Sequence, residues 1–310
     1  MFNKELIITL LNINKIGRQS VNKLICNPLP LSNDPWCIFD FIIKHMPNYN
    51  LKLDIQDIII AKNKSLNIIN YCKDNNINIM TILDNEFPMK LKIIPNNPVV
   101  IFYKGNKLCI LDDRSIAIVG TRKPNLESEK LTRQISQLFS RQGYTIISGL
   151  AYGIDYNAHI SAVNNKSKTL AVLPSGISNI YPSEHKYLCD EILYNNGCII
   201  SEYFPFEVPY KNKFIERNRL QSALSLGVII VECSAKSGTM HTVNFAKDQS
   251  KIIFCYKNAN DHLLKDKGIY VFNNLFTLES MLNLLEFKLQ EFNNFNDESI
   301  FSDFQLHFRF

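Results

Sequence analysis

Five short stretches carry the groups with which this sequence can do chemistry: GTRKPN at 120 to 125, SGLAYGID at 148 to 155, PSGISNIYPSEH at 174 to 185, SEYFPFEVPYKNKFIERNR at 201 to 219 and CSAKSGT at 233 to 239. Each combines Gly, Ser, Thr or basic residues, the composition of loops that hold phosphate on backbone N–H groups and positive charge. The first is the sharpest. An apolar run, Ser115 to Val119, ends in Gly120, which permits a tight turn, and Pro124 stands where a helix can begin. The unpaired N–H groups at such a helix start favour an anion, and Arg122 adds a full positive charge.

Two familiar phosphate sites do not fit. A dinucleotide fingerprint needs further glycines after Gly120 and an acid closing the next strand, which here ends in Ser148 and Gly149. A Walker A lysine loop is absent, so ATP-driven chemistry has no grip on its phosphates. Between Pro209 and Arg219 four cations, Lys211, Lys213, Arg217 and Arg219, gather at a helix start with Tyr210, Phe214 and Asn218 among them. Cations there oppose the helix dipole unless an anion is bound. Basic residues interleaved with aromatic rings suit a single nucleic-acid strand, Arg gripping phosphate and a ring stacking a base; a solvated charged turn is the other reading. Asp155 can cap the helix that follows it, and His159 one turn later reads as a structural, hydrogen-bonded histidine.

The elements that position these loops follow from periodicity. Residues 1 to 65 read as helical, with two short helices about Gly17 that are either plain packing or a helix-hairpin-helix, whose turn would hold a phosphate. Short apolar runs at 77–83, 99–103, 116–119, 145–147, 170–173, 198–201, 228–231 and 252–255 read as strands. From 116 onward they alternate with helices, at 125–142, from about Asp155, and at 183–194, 214–226 and 239–247. Such alternation means a mostly parallel α/β sheet with helices on both faces, whose ligands bind beyond the carboxyl ends of the strands. The expected domains are a helical one at 1–65, a core at 66–285 and a tail at 286–310, whose Phe292, Phe295, Phe301, Phe304, Phe308 and Phe310 dock on the core or on a partner.

Composition narrows little further. A net charge of +5 supports a function but nominates none. Eight cysteines lie scattered without a CxxC pair and read as buried reduced thiols. No spaced metal set is present, no run of about twenty apolar residues offers a membrane span, and a cytoplasmic protein is expected.

Together these motifs resemble the DprA (Smf) family of DNA-processing proteins. The resemblance rests on VGTR at 119–122, where the family usually has G-S-R, on SGLAYGID, on LPSGISNIYP at 173–182, and on SEYFPF from Ser201. FIERNR at 214–219, VIIVE at 228–232 and SGTMHTVNFA at 237–246 complete it, in order over about 77 to 255. It implies an extended Rossmann-like domain in a homodimeric, non-catalytic protein without cofactor that binds single-stranded DNA and helps load the RecA recombinase during natural transformation. By position, Arg122, Lys213, Phe214, Arg217 and Arg219 would form a basic DNA pocket floored by Gly149 and Gly153. Gly120, Thr121, Lys211, Asn218, Ser237, Gly238 and Thr239 complete the expected DNA-binding set. In two departures, YKNAND replaces the family's usual Pro-Gly after residue 255 and no winged-helix domain follows, which bears on the C-terminal partner surface.

The competing reading is an enzyme resembling nucleoside-monophosphate phosphoribohydrolases, which carry P-G-G-x-G-T-x-x-E. Here AKSGTMHT puts Thr242 where that Glu belongs, leaving Glu202 or Glu232 as substitute acid or base.

Overall fold

The computed structural model describes residues 2–47, 53–234 and 237–297, with side chains as far as Glu291. The architecture is α/β and mostly parallel, as the alternation predicts. The chain divides into two compact units, one of residues 1–110 with 171–214 and one of 111–170 with 215–310.

The first unit opens with the helices Phe2–Asn12 and Arg18–Ile25 on either side of Gly17, followed by Pro35–His45 and Ile55–Asp74. Pro35 sits at the first helical position, where its missing N–H costs nothing, and the Asp34 carboxylate accepts from the Trp36 N–H at 2.9 Å. Phe2–Asn12 buries Leu6, Ile7, Ile8 and Leu10 against the long helix Ile55–Asp74. Each such side chain contributes about 1.5–3 kcal/mol by leaving water. The strands β1 (Asn78–Thr81) and β2 (Val100–Gly105) pair antiparallel, with Ile79 opposite Phe102. β2 also runs antiparallel to a later strand of this unit, Cys198–Ser201, with Phe102 opposite Ser201.

The second unit holds the parallel part. β3 (Ser115–Val119) is wholly buried and flanked by β4 (Thr145–Ser148), and β5 (Thr169–Val172) is divided by the boundary between the units. In chain order β6 is Cys198–Ser201, β7 Gly227–Ile230, β8 Ile252–Tyr256 and β9 Ile269–Phe272. Within this unit the order is β4-β3-β7-β8-β9, with Ala117 between Ile147 and Val228. Buried hydroxyls find carbonyls: Ser115 Oγ donates to Leu224 O at 2.7 Å and Ser148 Oγ to Ile118 O at 2.7 Å.

Several boundaries differ from expectation for local reasons. The helix after β3 is Leu126–Arg141, not one opened by Pro124, because the Asn125 side chain accepts from the Ser128 N–H at 2.8 Å and caps it. The basic helix spans Lys211–Leu224, and 183–194 is a 3-10 turn, Ser183–His185, leading into the helix Lys186–Tyr194. Residues 286–297, expected in the tail, belong to a helix, Leu282–Asp297. It buries Leu285, and its Glu286 carboxylate accepts from Tyr144 Oη at 2.8 Å and Arg114 Nη2 at 2.7 Å. Phe301, Phe304, Phe308 and Phe310 lie outside the described residues. Among those described, Cys72, Cys109, Cys189, Cys198, Cys233 and Cys255 are buried as expected, whereas Cys26 is exposed and Cys37 half-buried. Burial pushes the thiols of Cys72, Cys189 and Cys255 up to about 12.

Candidate nucleic-acid interface

The loops leaving β3, β4 and β7 meet in the second unit. The Thr121 N–H donates to Glu232 O at 2.7 Å, Ile154 N–H to Thr121 O at 3.1 Å, and Thr239 Oγ1 to Gly120 O at 3.1 Å. Glu232 also accepts from the Asn125 N–H at 3.1 Å, so its carboxylate holds the helix start that follows the turn. Gly120 is needed for contact: a Cβ there would lie 2.5 Å from Ile154 Cγ1 and 2.8 Å from Glu232 O. The result is a rigid turn that leaves Arg122 and Lys123 exposed.

Gly153, not Asp155, is the N-cap of the helix Ile154–Asn164. Asp155 is 7% exposed and folds back on the preceding loop, its Oδ2 accepting from Gly149 N–H at 3.1 Å and Ala151 N–H at 3.4 Å. Arg217, 4% exposed, grips the same loop from the other side, donating through Nη1 to Gly149 O at 2.6 Å and through Nε to Asn218 Oδ1 at 3.2 Å. Asn218 Nδ2 in turn donates to Gly238 O at 3.3 Å. Arg219 is 2% exposed and donates to Glu216 O at 3.2 Å. Both arginines are buried. The sequence places both on one helix, but two positions apart they leave its axis in different directions, and both directions are inward here.

Burial pushes the Asp155 carboxyl above the ordinary Asp value, against the pull of Arg217 and of its backbone donors. A carboxyl with a higher pKa folded than unfolded adds stability that is fully present below its unfolded value, about 4, and is lost as pH rises through the folded value. Urea unfolding followed upward from pH 4 is therefore expected to show Asp155→Asn, which cannot titrate, gaining on the unaltered protein as pH rises. A change of the opposite sign would mean that the attraction to Arg217 outweighs burial.

In the first unit the loops leaving β5 and β6 are bound to each other. Gly176 N–H donates to Glu207 O at 2.8 Å, Ser178 N–H to Pro205 O at 3.0 Å and Asn179 Nδ2 to Phe206 O at 2.5 Å. The Glu207 carboxylate accepts from Phe204 N–H at 2.9 Å and from Lys213 Nζ at 2.6 Å. Lys213 lies 4.6 Å from the Tyr203 ring centre and 5.4 Å from that of Tyr210. The anion demanded by a lysine at this helix start is thus built in, while Lys211, two residues earlier, is exposed. Phe214 is half-buried, edge-to-face with Tyr181 at 5.4 Å. Glu207 gave no sequence signal, because a residue outside the helix and six positions from Lys213 has no periodic relation to it.

Ser237 is half-buried, Gly238 exposed, and Ala235 and Lys236 lie outside the described residues. The candidate acids are engaged: Glu202, with its side chain 4% exposed, pairs with Arg18 at 2.6 Å, and Glu232 braces the turn. Thr242 is buried in place of a carboxylate, and His159 is fully buried with Nδ1 2.8 Å from Thr169 Oγ1. Among the described residues no cluster could hold a metal ion, and no helix is long and apolar enough to cross a membrane.

Comparison with known proteins supplies the family. The family described as DNA recombination-mediator protein A matches residues 78–269, more than half of the chain. Protein Smf of Borreliella burgdorferi is 36% identical over 220 residues, covering 69% of this chain and 68% of its own. DNA processing protein DprA of Bacillus subtilis is 35% identical over 59% of this chain and 61% of its own, and Protein Smf of Synechocystis 35% identical over 66% and 52%. The chain thus spans between half and two thirds of the length of the latter two relatives. The X-ray structure of DprA from Streptococcus pneumoniae superposes with a TM-score of 0.61 at 28% identity, covering 86% of this chain and 98% of that one. A Helicobacter pylori DprA structure, described as revealing a unique single-stranded DNA binding mode, gives 0.60 at 28% identity over 66% and 96%. The chain belongs to the DNA recombination-mediator protein A family, the DprA/Smf proteins of DNA processing.

Proposed function

We propose that this protein binds single-stranded DNA without catalysing a reaction on it, and that it acts in the cytoplasm as a homodimer that passes the strand to the RecA recombinase in natural transformation. The observation that carries the binding reading is the braced turn Gly120–Arg122: its backbone is fixed by bonds to Glu232 O, Ile154 N–H and Thr239 Oγ1, and its arginine is exposed. Pre-formed positive charge on a rigid turn suits phosphate without demanding a base sequence. In this reading Gly149, Gly153, Arg217, Asn218, Arg219, Ser237, Gly238 and Thr239 shape and hold that surface in the second unit. In the first, Lys211 meets phosphate, Phe214 stacks a base, and Lys213 orders the helix start. The family and the DNA-binding H. pylori relative support it.

Fluorescence anisotropy with an unstructured oligonucleotide tests this. Affinity is expected to fall steeply with salt, because phosphate contacts release counterions. Arg122→Ala should weaken binding to every sequence alike, and Phe214→Ala should cost about 1–3 kcal/mol of binding if its ring stacks a base. Unchanged affinity in both variants would remove the proposed surface. Robust hydrolysis of nucleoside monophosphates would overturn the non-catalytic reading; the engagement of Glu202 by Arg18 and of Glu232 by the Asn125 N–H speaks against it.

A further inference from the structure

We propose that Tyr181 is a second base-stacking residue, taking an unpaired nucleobase beside the one assigned to Phe214; this rests on the single-strand reading above. The motif PSGISNIYP has so far only a scaffolding part, yet its penultimate residue is a tyrosine that is 41% exposed. The loop presenting it is fixed. Besides its bonds to the 205–207 segment, Ser175 Oγ donates to Asn179 O at 2.6 Å and Ser201 Oγ to Ser175 O at 2.7 Å. A Cβ on Gly176 would lie 2.0 Å from Phe204 O and 2.3 Å from Pro205 O, so this close approach tolerates no side chain.

Tyr181 and Phe214 stand at 79° with centres 5.4 Å apart, edge to face, so within this pair at most one face of one ring is covered by the other. Tyr210, 64% exposed, and Lys211 precede Phe214 on the chain, Lys211 three residues before it and so on the same helix face. Aromatic faces held rigid beside an exposed cation suit successive bases and phosphates of one strand, and ordering them on binding costs little. Packing alone does not require a ring this exposed.

The test uses the full chain and two probes of equal phosphate number, oligo(dT) and an abasic oligonucleotide. Tyr181→Leu is expected to bind oligo(dT) about tenfold more weakly, the loss of one stacked base, while Tyr181→Phe binds as before. On the abasic probe Tyr181→Leu should match the unaltered protein. Added to Phe214→Leu, Tyr181→Leu should cost the same factor again, since each ring takes its own base. Undiminished oligo(dT) binding, an equal loss on the abasic probe, or no further loss in the Phe214→Leu background would each overturn the assignment, the last reducing Tyr181 to a prop for Phe214. Should Tyr181→Leu not fold, Tyr181→Trp in a Trp36→Phe background reads the same point, its fluorescence being quenched by oligo(dT) and not by the abasic probe. Failure of the unaltered protein to bind either probe would sink the single-strand reading and this one with it; loss-free Tyr181 variants of a binding-competent protein sink this one alone.

Discussion

Gly153→Ala is expected to lower stability by about 2–5 kcal/mol, a large shift of the urea midpoint with an unchanged slope. Gly153 has φ +76° and ψ −118°, a region that side chains rarely enter. A Cβ there would also lie 2.4 Å from Thr121 O, 2.7 Å from the Arg122 carbonyl carbon and 2.7 Å from Pro124 Cδ. The first two are backbone atoms of a turn anchored to Glu232 and Ile154, so no rotamer change relieves the clash. Strain and overpacking each cost about 1–3 kcal/mol. Gly238→Ala is the control, because a Cβ there meets nothing within 4 Å and its φ of −58° suits any residue. It should be neutral or stabilise by about 0.4–1 kcal/mol, as a glycine replaced without strain does. Equal stability of the two variants would disprove the contact between the loops leaving β3 and β4.

The same contrast shows what can be read from the chain. Ile116–Val119 declares itself as a buried strand because an apolar run before Gly120 leaves no other element, and the structure extends it by one residue, to Ser115. Gly149 and Gly153 likewise announce a close approach, although not which atoms approach. β9, Ile269–Phe272, escaped because four residues with a half-exposed middle carry too little apolar signal. The helix Leu282–Asp297 escaped because its phenylalanines and asparagines suggested a loose tail, hiding the Leu282, Leu285 and Leu289 spacing. Least legible was the inward turn of Arg217. Four cations around one phenylalanine read as a solvent-facing cluster, and the carboxylate that draws one of them inside lies at position 155, with no periodic relation to it. A helix sequence reports its own periodicity; its partners across the fold are a property of the other elements.

Arg217→Met is expected to destabilise the protein by about 3–5 kcal/mol, because it leaves a buried carboxylate without its cation. Methionine fills much of the same volume, so the loss is chemical more than steric: Asp155 keeps its place at 7% exposure while Gly149 O loses a donor at 2.6 Å. Adding Asp155→Asn should restore a large part of the loss, since the amide carries no charge needing compensation and still offers an oxygen to the Gly149 N–H. Urea unfolding of the four proteins gives the coupling, expected to exceed about 1 kcal/mol; strict additivity would separate the two residues. The salt dependence of DNA affinity then tells support from contact. Arg122→Ala should lower the magnitude of the slope of log affinity against log salt by about 0.7, the share of one phosphate contact on a single strand. Arg217→Met, studied where it remains folded, should weaken binding at an unchanged slope, because a guanidinium 4% exposed and bonded to Gly149 O neutralises the protein's own carboxylate and not the strand.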